Sequence, residues 1–527
     1  MDVVQNFMID DEQWGPEDLE LQYPATPPAL RSKRSEDELA LTKPAPAQTQ
    51  RPPISLLHEV TFVITILLAQ ILLQAGVGQG LAPLHIIGNH FGITNPGELS
   101  WYVAGFTLTA GTFILIAGRC GDMYGHKRVF ISAFIWYGVW SILCGASYYS
   151  NNIFFTIARG FQGMGPAFIT PNGLALLGRT YPPGMRKNLV FSLFGACAPG
   201  GYILGATFST LIAERTLWAW AYWVMGIVCF MTAVCAVWTV PSQGAGSGAE
   251  EKQFHEQQHF DYLGALAGVS GLILFNVAWN QGPTVGWPDP YVYVLLILGI
   301  ICLLVFFIIE SRVHQPLLPV KALSAPVLFV LSATGAGWGS FGIYLYYLWQ
   351  FLLQLRHHTP LLVSAQNSPS AVTGVIASVV TGFLISKVPT PYIMILALIC
   401  FCVTPVLTAT MPIDQTYWAS TFVSTLIIPF GMDMSFPAAT IILSGSVPKE
   451  HQGIAASLVL TTTSYSISLG LGIAGTVASQ IDPDGADLLR QFRSAWYTSI
   501  GLAAMGLVIA ILSALYMRRH PLAAPPH

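Results

Sequence analysis

Residues 118–130 read GRCGDMYGHKRVF, a polar joint between an apolar run that begins near residue 99 and another that begins near residue 129. Each run is close to the ~20 residues a helix needs to cross a ~30 Å hydrocarbon layer. Glycines at 118, 121 and 125 permit a tight turn against a neighbouring helix, and Lys127 and Arg128 hold the joint in water on one side. The stretch therefore reads as the turn between two membrane-crossing helices.

Working outward, the same alternation covers most of the chain. Apolar stretches begin near residues 58, 99, 129, 153, 189, 218, 260, 290, 326, 361, 391, 416, 453 and 495, which predicts fourteen spans. After residue 57, fourteen spans of about 21 residues leave joints of about 13 each. A twelve-span chain would have to bury two of these runs as something else; the pair near 260 and 290 is the most dispensable. Of 527 residues, 53% are hydrophobic and only 9% charged, against about a quarter charged in soluble domains. An ordinary soluble enzyme, a disordered chain and a fibrous repeat are excluded together. The first 57 residues differ, because acidic residues alternate with Arg31, Lys33, Arg34, Lys43 and Arg51 and prolines interrupt any apolar period. They are expected to form a disordered cytoplasmic tail and not a signal peptide, because they start acidic and hold no apolar core before a cleavage site.

Lys and Arg placement predicts the orientation. With the tail inside, eighteen of the 23 basic residues fall in inside segments, while Arg215, Arg356, Arg490 and Arg493 fall outside. Both termini are then cytoplasmic, which an even number of spans requires. The eight cysteines avoid the outside joints and form no CxxC or Cys/His spacing. No metal, disulfide or cofactor is expected from them.

Of 49 charged residues, two fall well inside apolar spans: Arg159 in the fourth and Asp433 in the twelfth. An ionisable group there costs about 2.5–3.5 kcal/mol on insertion scales and persists where it meets a cavity or a partner. Asp433 stands between Gly431 and Pro437 in IIPFGMDMSFPAA, where bends free backbone carbonyls. Taking a carboxylate out of water favours its neutral form, as a proton carrier requires; a structural hydrogen bond is the competing reading. Arg159 keeps its charge and attracts anions or acts on a neighbouring acid. Glu59, Asp261 and Glu310 sit at span ends, where water solvates them. Among uncharged polar residues, Gln74, Gln79, Trp338, Tyr344 and Tyr347 are candidates to line an amphipathic cavity, joined by Gln162 beside Arg159. Hydrogen bonding between helices accounts for most others, including Asn276, Asn280, Gln350 and Gln354.

The joint at 118–130 resembles the major facilitator signature G-x-L-a-D-r-x-G-r-k-x-x-l: Gly118, Asp122, Gly125 and Lys127 match, with Cys120 for Leu and Met123 for a basic residue. RGFQGMGPA, Arg159 to Ala167, is similar to the fourth-span signature of that superfamily, whose Arg is associated with proton coupling. GACAPGGYILG resembles the antiporter motif through Gly195, Pro199, Gly201 and Gly205, although Phe194 and Ala198 stand where the motif has Gly. Four stretches, LLQAGVGQGLAPLHIIG, FNVAWNQGPTVGW, GWGSFGIYLYYLWQFLLQLR and FGMDMSFPAATII, look like the fungal aminotriazole-resistance and boron-efflux branch of the fourteen-span drug:proton antiporters. A low-affinity ammonium transporter belongs to the same branch. In fourteen-span relatives the first span often carries an Asp; here Gln74 takes that place, which turns attention to Asp433.

The resemblance implies an all-α integral membrane protein of the major facilitator fold, with 14 transmembrane helices in two six-helix bundles and an inserted pair. Its parts would be a tail (1–57), a first bundle (58–240), a linker holding the inserted pair (241–325), a second bundle (326–517) and a short C-terminal tail (518–527). It implies a proton-coupled efflux pump for small toxic compounds, drugs or metabolites, or alternatively an uncoupled facilitator or low-affinity ammonium or borate transporter. Asp433 and Arg159 would serve coupling, and Gly118, Asp122, Gly125 and Lys127 a gate that latches the halves. Expected partners are a small-molecule substrate, protons and the lipid bilayer, with no nucleic acid and the chain acting as a monomer. Its place would be the plasma membrane, with the vacuolar membrane as alternative. No catalytic Ser/His/Asp set, HExxH or P-loop supports an enzyme.

Overall fold

The computed structural model describes residues 55–181, 185–241, 260–313, 316–318, 323–446, 452–482 and 487–519. The expected tail up to residue 54, most of the linker ahead of residue 260 and residues 520–527 lie outside them.

The described residues are helical almost throughout. The helices are α1 (Leu56–Leu81), α2 (Leu84–Phe91), α3 (Pro96–Tyr124), α4 (His126–Ala146), α5 (Asn152–Thr180), α6 (Met185–Arg215), α7 (Ala219–Thr239), α8 (Tyr262–Val285) and α9 (Pro290–Arg312), then α10 (Ala325–Gln350), α11 (Pro360–Asn367), α12 (Pro369–Ile385), α13 (Thr390–Ala409), α14 (Ser420–Ser446), α15 (Gln452–Ile481) and α16 (Leu488–Arg519). A π turn, Phe351–Leu355, extends α10, and α11 with α12 makes one crossing, Pro360–Ile385. Among the described residues thirteen stretches are long and apolar enough to cross a membrane. Helix α5 has the length to cross but not that apolarity, because it carries Arg159, Gln162, Asn172 and two internal prolines. Every start read from the sequence falls within seven residues of a helix start.

Capping explains the boundaries. Asn95 and Asn151 accept from backbone N–H groups at the starts of α3 and α5, and Asp261 accepts from Gly264 N at the start of α8. The turn between α3 and α4 is a single residue, Gly125, at φ 90°, a backbone region that glycine occupies without strain.

Helices α1 and α3–α7 pack on one another, as do α10–α16. The two groups meet along α3 with α15 and α6 with α12, while α8 touches both α3 and α15. Small residues allow the close approaches: a Cβ on Gly201 would overlap the backbone of Ile71, and one on Gly205 that of Ala75. Facing outward, α9 exposes Ile297, Leu298, Ile301, Leu304, Phe307 and Ile308, the apolar surface a bilayer covers. Buried polar contacts fix α8 to α15, where Asn276 Oδ1 accepts from Asn280 Nδ2 at 2.8 Å and from Ser468 Oγ at 2.7 Å.

Candidate functional site

Arg159 is fully buried about two turns into α5. Its Nε donates to Tyr102 O at 2.9 Å, its Nη2 to Gly76 O at 2.9 Å and its Nη1 to Gln162 Oε1 at 2.6 Å. The guanidinium lies 4.5 Å from the Phe106 ring centre and 5.8 Å from that of Tyr222. Carbonyl dipoles and aromatic faces thus replace the water a cation has lost. Glycines make the space, for a Cβ on Gly80 would collide with Nη2. Thr109 Oγ1 donates to Gly160 O at 2.6 Å and closes α3 onto α5 one turn away. Gln162 completes the network by donating to Ser141 Oγ at 2.8 Å, so Arg159 ties α1, α3 and α5 together and Gln162 reaches α4.

Asp433 has a different setting. It lies in α14 between Pro429 and Pro437, and its Oδ2 is buried with no hydrogen-bond partner. Ser378 of α12 is the polar group facing the carboxyl. Gly431 keeps α14 close to the Phe401 ring, and Trp338 Nε1 donates to Ser435 Oγ at 3.1 Å two residues on.

The expected cavity set does not come together as one group. Gln79 Nε2 donates to Ala221 O on α7 at 2.8 Å, while Gln162 belongs to the Arg159 network. Trp338 and Tyr344 donate to Ser435 and Ser424 of α14, and Tyr347 packs edge-on against Phe492. Gln74 is half-buried on α1. Gln79, Gln162, Trp338 and Tyr344 thus hydrogen-bond to different helices, as polar groups in hydrocarbon do.

In the gate motif Asp122 Oδ1 meets Arg179 Nη2 at 3.2 Å and His126 Nε2 at 3.2 Å. Lys127 Nζ donates to Val237 O and Val240 O, the last carbonyls of α7. Gly118 leaves 3.5 Å between its absent Cβ and Ser457 Oγ of α15. In the antiporter motif Gly201 and Gly205 face α1 and Pro199 packs on Gly374 of α12, whereas nothing lies within 4 Å of a Cβ on Gly195.

Two side chains have settings that the sequence does not suggest. Glu310, expected in water at a span end, is buried, and Leu318 N donates to its Oε2 at 3.0 Å. Burial comes about because the chain after α9 folds back over the carboxylate. His85, in the stretch LLQAGVGQGLAPLHIIG, reaches α10. A contact across 265 residues leaves no local signal in a sequence.

The Major Facilitator Superfamily profile matches residues 64–389 and 327–527. The low affinity ammonium transporter of Saccharomyces cerevisiae is 56% identical over 463 residues, covering 88% of this chain and 90% of that protein. The efflux pump terJ of Aspergillus terreus is 42% identical, covering 89% and 90%, and the aminotriazole resistance protein of S. cerevisiae 39%, covering 87% and 84%. Among solved structures, the POT family transporter PepTSo shares the fold at a TM-score of 0.65 and 14% identity, over 90% of this chain and 100% of that one. These are transporters of small molecules and not enzymes. The chain belongs to the major facilitator superfamily, in the branch that holds the fungal aminotriazole resistance protein.

Proposed function

We propose that this protein is a proton-coupled exporter of small toxic compounds, drugs or metabolites, acting as a monomer in the plasma membrane with both termini cytoplasmic. The observation that carries the reading is Asp433, a carboxyl group in a membrane-spanning helix with one oxygen buried and unpartnered. Residues 58–240 and 326–517 rock about the midplane, and Asp433 takes a proton from outside and releases it inside. A proton moving inward gains about 1.4 kcal/mol per pH unit and about 2.3 kcal/mol per 100 mV, enough for at least a ~10-fold gradient of a neutral solute. Export is supported by the efflux pump and the resistance protein among the relatives. Arg159 organises the first group of helices, and its buried charge disfavours a cation binding beside it.

A second reading rests on the ammonium transporter, which has the higher identity at 56%. In it the same fold moves ammonium, or borate, at low affinity and without coupling. Flux in proteoliposomes separates the two. Uphill solute movement that tracks an imposed pH gradient supports the exporter, whereas movement that ignores the gradient and only dissipates a solute gradient overturns coupling.

A further inference from the structure

The end of α10 carries a contact that neither signature motif includes. His85 Nε2 lies 2.5 Å from Gln350 Oε1, and Gln354 Nε2 donates to that same oxygen at 3.0 Å. Gln350 is the last residue of α10 and Gln354 belongs to the π turn, whose Arg356 N bonds back to Phe351 O over five residues. A widened turn of this kind often marks a functional site. Its effect here is to bring two glutamines onto one imidazole. With its proton on Nε2 the ring donates to Gln350, so one amide oxygen receives N–H groups from two parts of the chain.

His85 stands on α2, just past the C-terminal end of α1, so this bond joins the first group of helices to the second. Two further bonds join the same groups at the same end: Tyr346 Oη donates to Pro96 O at 3.1 Å, and Leu361 N donates to Glu214 Oε1 at 3.2 Å. This end, outside if both termini are cytoplasmic, is held shut in the structure.

We propose that His85, Gln350 and Gln354 form the latch of the outer gate, and that acid on the outer side releases it by protonating His85. The proposal rests on the transport reading, since a gate has meaning only in a chain that opens alternately to each side.

The direction comes from solvation. Burial of the ring in the closed form pulls its pKa below the ordinary value of 6.5, and the bond to Gln350 offsets this only in part. Opening exposes the ring to water and restores its proton affinity. Proton binding therefore selects the open form, an effect that appears as the outer pH falls below about 6.5 and is absent above it. Among the described residues the ring's hydrogen-bond partners are the uncharged Gln350 and Gln354. Of the titratable groups of the surrounding elements, Glu98 of α3 bonds with Asn152, Glu214 of α6 with Leu361, Arg356 with Pro412 O and Thr421, His358 with Gln366, and His90 of α2 with Tyr148, while His357 and Arg490 of α16 are exposed and Arg493 of α16 is half-buried.

The test is a distance across this end. Ketone-reactive spin labels on p-acetylphenylalanine at the exposed positions Tyr149 and Trp418 avoid the native cysteines, and pulsed dipolar spectroscopy in nanodiscs reads the separation at pH 7.5 and 5.5. The long-distance population should rise by about twofold or more on acidification, because the exposed ring holds a proton more readily than the buried one. His85→Gln keeps a hydrogen-bonding side chain without titrating and should lose the response. Gln350→Leu should show the long distance at both pH values. A wild-type distribution indifferent to pH overturns the proposal whether or not the variants fold, as does a His85→Gln response equal to wild type. Because the distance needs no substrate, its failure is distinct from failure of the transport reading, which would show as absent solute flux through the wild-type protein.

Discussion

Arg159 and Asp433 are both ionisable groups well inside long helices, yet their surroundings differ. Arg159 has a partner for each of its three nitrogens and two aromatic faces around it. Asp433 has a serine facing it and an oxygen with no partner. A charge so fully engaged holds helices together, because changing its contacts would strand several groups in a medium without water. A charge left partly unengaged has freedom to change state. Both residues stand out equally in the sequence, and only their neighbours tell the two kinds of burial apart.

The comparison can be broken in four places. Asp433→Asn should abolish uphill transport, by more than about tenfold in the gradient sustained, while surface expression and detergent melting temperature stay at wild-type levels. Undiminished concentrative flux in proteoliposomes would end the distinction. Arg159→Gln should act chiefly on folding: losing two charge-assisted bonds at about 1.5 kcal/mol or more each predicts a fall of about 3 kcal/mol or more, read as a lowered melting temperature and less protein at the surface. A stable but inactive Arg159→Gln would instead make the arginine a transport residue. Thr109→Val removes one bond next to the arginine and should cost about 1 kcal/mol, seen as a small drop in melting temperature without a change in coupling. Asp122→Asn should cost least, about 0–1 kcal/mol, because its pair with Arg179 is half-exposed. A larger loss of melting temperature there would show that the gate loop bears more of the fold than one half-exposed ion pair can account for.

The spans were legible because the bilayer imposes their length and forbids charge along it, so composition alone marks α1, α9 or α13. The signal was weaker in α5, where Arg159, Gln162 and the prolines dilute the apolar character of the stretch that begins near residue 153. The gate motif was readable since Gly125 must take a backbone conformation that other residues avoid. What partners a polar side chain was not. Gln79 and Trp338 looked alike as cavity candidates, but one bonds to α7 and the other to α14. Helix periodicity says which face a residue shares and nothing of which distant helix covers it. Glu310 and His85 were hidden for the same reason: Glu310 sits at a span end that reads as wet, and both are covered by chain that is close only after folding.

The bonds among Asn276, Asn280 and Ser468 decide where this polypeptide tolerates being cut. Severed between α9 and α10, it would leave one fragment with those amides facing lipid and the other with a bare serine. Severed in the stretch before residue 260, it keeps them on one piece. The inserted pair is by this measure an appendage of the second group of helices, and two separately made fragments would be expected to find each other from the second division more readily than from the first.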